Sequence, residues 1–84
     1  MIRDIIEDNI KYQISFVSDE FAEPYISVEK MAINKVCNKT YPHTTVRNFS
    51  IVNNHIDTNN RSIYILPKSI IDQINRLIKL KALL

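Results

Sequence analysis

The 84-residue chain carries 11 Lys and Arg against 9 Asp and Glu, a formal net charge of +2, with 45% hydrophobic residues and no glycine. A single small domain is implied, one that buries only about 60–65% of its unfolded surface. The lack of glycine excludes glycine-cradled phosphate loops and dinucleotide fingerprints, and one cysteine, Cys37, excludes both an internal disulfide and a cysteine-based zinc site.

Ile2, Ile5, Ile6, Ile10, Ile14 and Val17 recur at helical spacing with Arg3, Asp4, Glu7, Asp8 and Lys11 between them, so residues 2–18 are predicted as an amphipathic helix. A strand-like alternation of Ile10, Tyr12, Ile14 and Phe16 competes over the second half only. Ser18 to Pro24 is an acidic connector. Ser27 is a candidate N-cap for a short second helix through Val28, Met31, Ala32, Lys35 and Val36, closing near Asn38 and Lys39.

Thr40-Tyr41-Pro42 turns the chain, and Thr44 to Ser50 is read as a third helix. The β-branched and aromatic content of Thr44 to Val52 suits a strand equally well. Ile56 to Leu66 is predicted as a β-hairpin turning at Thr58-Asn59-Asn60, with Pro67 closing its second strand. Asparagine has to fill left-handed turn positions in the absence of glycine, and Asn38, Asn59 and Asn60 are the candidates. A last helix, with Ile70, Ile71, Ile74, Leu77, Ile78 and Leu84 on its apolar stripe, spans 68–84.

Charge is divided along the chain. Residues 1–29 hold two basic and seven acidic side chains, net −5; residues 30–84 hold nine basic and two acidic, net +7. A polyanion-facing side and a solvated acidic side explain that split, as does mutual attraction of the two parts within the fold.

Three helices, a hairpin and a further helix, with Met31-Ala32 in the bracing helix and Thr44-Thr45-Val46-Arg47 opening the next, resemble the winged helix-turn-helix family of DNA-binding domains. The resemblance implies an α+β fold: one domain over 1–84, a helix-turn-helix core at 27–53, a wing at 54–66 and a C-terminal helix at 68–84. It further implies double-stranded DNA as partner, with Thr44, Thr45, Arg47 and Asn48 facing the major groove. Lys35, Lys39 and His43 would lie near phosphates, and Asn59, Asn60 and Arg61 at the wing tip. A homodimer through Ile70, Ile74, Leu77, Ile78 and Leu84 is expected, in a regulatory or accessory protein of the cytoplasm or nucleoid, encoded by a virus, phage or plasmid.

No cofactor, metal site or enzymatic activity is expected. Cys37 with His43 or His55 lacks an oxyanion-forming loop, and His43, His55 and Asp57 are too few and poorly spaced for a metal. No apolar run reaches membrane-spanning length. The rival expectation is an interaction module that engages a host protein through its acidic N-terminal helix or its apolar C-terminal helix.

Overall fold

A computed structural model describes residues 2–19, 22–33 and 40–82, with the backbone alone at 19, 22 and 40–44. The chain forms β1 (Ile2–Glu7), β2 (Ile10–Asp19), β3 (Ala22–Ile33), β4 (Thr40–Val52) and β5 (His55–Ile56), then a 3₁₀ turn at Arg61–Ile65 and helix α1 at Lys68–Ala82. The strands make one antiparallel sheet in sequence order, β1-β2-β3-β4-β5, curled beneath α1. This overturns the expected three N-terminal helices and the helix-turn-helix core at 27–53, whose described residues are strand up to Val52 and turn at Asn53.

The reason lies in Asp8 and Asn9, whose φ angles of 53° and 61° make a two-residue type I′ turn between β1 and β2. Two successive left-handed residues cannot sit inside an α-helix. The 3.6-residue spacing across residues 2–18 therefore had no helix to describe. The rival period of two is the one that folds: Tyr12 and Ile14 on β2, Ile26 and Val28 on β3, and Phe49 on β4 are buried on one face.

Asn53 and Asn54, at φ 50° and 62°, repeat the device between β4 and β5. Asparagine and aspartate thus take over glycine's role, but at these positions and not at Asn59 or Asn60; Asn38 lies outside the described residues. The expected hairpin over Ile56–Leu66 is displaced accordingly, pairing β4 with β5, while Arg61–Ile65 winds into the 3₁₀ turn. Pro42 is tolerated within β4 because the register shifts there: Ile33 pairs with Thr40, but Met31 with Thr44.

Helix α1 begins where expected and buries Ile70, Ile74 and Ile78 against the sheet face carrying Ile14, Ile26 and Phe49. Two polar contacts fix its path. Ser69 Oγ donates to Glu7 Oε1 at 2.6 Å, tying the start of α1 to β1, and Asn75 Oδ1 accepts from the backbone N–H of Ile56, tying its middle to β5. Among the described residues, no helix is long and apolar enough to cross a membrane.

Candidate nucleic-acid interface

Strand β4 supplies the first part of the candidate surface. Alternation along it puts Phe49 into the core and leaves Arg47 and Asn48 exposed, their side chains on opposite faces. The Arg47 guanidinium caps the carbonyl of Val46 at 2.8 Å and extends into solvent.

The chain after β5 doubles back along β4. Asp57 N donates to Ser50 O at 2.9 Å, and Asn60 Nδ2 donates to Asn48 O at 3.2 Å. Asn59 N bonds Asp57 Oδ1 and Ser62 N bonds Asn60 Oδ1, two Asx turns that fix this return strap locally. Asn60 also caps the 3₁₀ turn, whose far end is held by Lys30, which donates to Ile65 O at 2.9 Å while its Nζ lies 5.7 Å from the centroid of the Tyr12 ring. Arg47 and Arg61 each adjoin in sequence one partner of the Asn60–Asn48 bond, which brings together two stretches of chain although these two residues lie 14 positions apart.

Between the strap and α1, Tyr64 stands 83% exposed, flanked by the half-buried Ile63 and Ile65. Lys68, also exposed, opens the helix. Among the described residues, neither Arg47, Arg61 nor Lys68 makes a salt bridge; the ion pair found is Lys11–Asp4 at 3.5 Å, on β2 and β1. Sheet order accordingly separates the acidic first hairpin, with Asp4, Glu7 and Asp8, from the strand that carries Arg47.

The residues expected to touch nucleic acid divide as follows. Asn60 is bonded to the backbone of Asn48, with Arg47 and Arg61 next to them in sequence, and Asn59 lies exposed on the same strap. Thr45 is half-buried, paired across the sheet with Lys30. His43 and Thr44 belong to β4, with side chains outside the description, and Lys35 and Lys39 lie outside the described residues. Among the described residues none of them lies on an α-helix, so entry of a recognition helix into a major groove has no counterpart there. Of the residues expected at a dimer seam, Ile70, Ile74 and Ile78 are spent on the chain's own core, Leu77 is half-buried, and Leu84 lies outside the description. The acidic N-terminal helix of the rival reading is the β1–β2 hairpin.

Tyr64 and Lys68 are not among the residues that the sequence assigns to nucleic-acid contact. A signal existed: Ile63 and Ile65 bracket Tyr64 in a short run between an asparagine cap and Pro67, which turns the tyrosine away from the apolar side.

Comparison with known protein families, with characterised proteins and with solved structures finds no match.

Proposed function

We propose that the chain binds nucleic acid in a regulatory or accessory role, using Arg47, Arg61 and Lys68 for phosphates and Tyr64 for a base. The observation that carries this reading is the Asn60–Asn48 hydrogen bond, which holds the strap preceding Arg61 and the exposed Tyr64 against the strand that carries Arg47. Exposed cations and an exposed aromatic ring on one short segment suit a single strand, whose unstacked bases offer a π-face while its phosphates meet the arginines. A duplex keeps its bases stacked and offers this surface only phosphates. Single-stranded DNA or RNA is therefore the favoured form.

The test is fluorescence anisotropy with a labelled oligonucleotide of about 16 nucleotides and with its duplex, each at low and moderate salt. Binding that weakens with salt, favours the single strand, and falls in both Arg47→Ala and Arg61→Ala is expected. Absence of binding to either form, or binding indifferent to both substitutions, would overturn the proposal.

A further inference from the structure

Strand β1 is the outermost strand of the sheet and, among the described residues, pairs only with β2. Its hairpin turn is closed by Glu7 opposite Ile10. In a two-residue hairpin the closing pair exchanges both backbone hydrogen bonds, and alternation gives the same status to Ile5–Tyr12 and Arg3–Ile14. The N–H and C=O groups of Ile2, Asp4 and Ile6 consequently point to the open edge. Ile2 and Ile6 are also 67% and 65% exposed. Proline and bulges are usual ways of blunting such an edge, and β1 has neither.

We infer that a second copy of this chain adds antiparallel to β1, with Ile5 opposite Ile5 and Arg3 of each copy opposite Glu7 of the other. Two registers bring outward N–H and C=O groups together while overlapping five of the six residues of β1. One is centred on Asp4 and sets two aspartates directly opposite, which is destabilising. The other is centred on Ile5 and makes the Arg3–Glu7 pair twice, at non-hydrogen-bonded positions where facing side chains lie closest. Charge selects the second.

The surroundings fit that register. Ile5 is already packed against the core, so the Ile5–Ile5 contact continues the apolar layer across the two-fold axis. Glu7 is held by Ser69 through Oε1, leaving its other oxygen for Arg3 of the second copy. An open groove of about 520 Å³, lined by Arg3, Ile5, Gln73 and Leu77 among others, leaves room on the helix side of the strand. The product is one continuous sheet with five strands from each chain, and it uses none of the nucleic-acid residues proposed above.

Sedimentation equilibrium on the full chain tests this directly. The expected mass is twice 9.8 kDa. Arg3→Glu and Glu7→Arg should each raise the dimer dissociation constant by about tenfold, and the double substitution should restore it, since it rebuilds the pair with its charges exchanged. Ile6→Pro, which removes an outward N–H and no internal one, should yield monomer with unchanged far-UV circular dichroism and unchanged oligonucleotide binding per chain. A 9.8 kDa species at every concentration overturns the inference. So does a dimer that tolerates Ile6→Pro, or one in which the double charge exchange fails to restore affinity.

Discussion

Asn75 Oδ1 accepts the backbone N–H of Ile56 at 2.8 Å, joining the middle of α1 to the shortest strand of the sheet. Strand β5 has two residues, too few to hold its place by ladder bonds alone, and Ile56 is a core residue. The side-chain bond does for this N–H what a further strand would do. Asn75→Ala leaves it without a partner, at a cost of about 1–3 kcal/mol, against a gain in helix propensity of at most about 0.7 kcal/mol. Net destabilisation near 1 kcal/mol is expected, seen as a fall in Tm of about 4–8 °C. The exposed Asp72→Ala on the same helix should change stability by less than about 0.5 kcal/mol.

Both tight turns place consecutive side-chain-bearing residues at positive φ, Asp8-Asn9 and Asn53-Asn54. An ordinary Cβ in that region costs about 1–2 kcal/mol, which asparagine lessens by bonding locally. Asn9→Ala should therefore lower stability by about 1 kcal/mol in urea titrations. Asn9→Gly should be neutral or stabilising, because Asp-Gly is a preferred type I′ pair. Equal loss in both variants would point to a contact of the asparagine side chain in place of backbone strain.

Burial raises the Tyr12 hydroxyl above its ordinary pKa of 10.0, and the negative charges of Glu7 and Asp8 push it further in the same direction. The folded chain thus holds this proton more tightly than the unfolded chain does. The associated stability is complete below pH 10 and is lost as pH climbs from the unfolded value through the folded one. The urea midpoint should fall in that alkaline window for the natural chain and fall less for Tyr12→Phe, which has no proton to lose. A parallel decline in the two proteins would assign alkaline unfolding to other groups.

How much of this was legible in the sequence depends on which period dominated locally. Helix α1 could be read because Ile70, Ile74 and Ile78 keep one face while Asp72, Arg76 and Lys79 keep the other, and no left-handed residue interrupts them. Residues 2–18 misled because Ile2, Ile6 and Val17, on the outer face of the sheet, fell by chance at helical spacing with core positions such as Ile10 and Ile14. Asp8-Asn9 was the missing signal, a type I′ dipeptide hidden inside an apparently continuous stripe. The approach of the Asn60 strap to Asn48 could not be read at all, since it depends on a hairpin turning at Asn53-Asn54 and on a strap whose side chain finds a strand carbonyl.

The proposed interface separates electrostatics from stacking, and each has its own dependence on salt. Every phosphate neutralised on a single strand contributes about −0.7 to the slope of log affinity against log salt concentration. Arg47→Ala and Arg61→Ala should each make that slope shallower by about this amount. Tyr64→Ala removes no charge, so its slope should be unchanged while affinity for the single strand falls by about 1–3 kcal/mol, and Tyr64→Phe should keep most of it. Duplex binding, which offers no base face, should be indifferent to residue 64. A Tyr64→Ala variant that binds both forms as the natural chain does would leave the arginines as phosphate contacts and remove the basis for preferring a single strand.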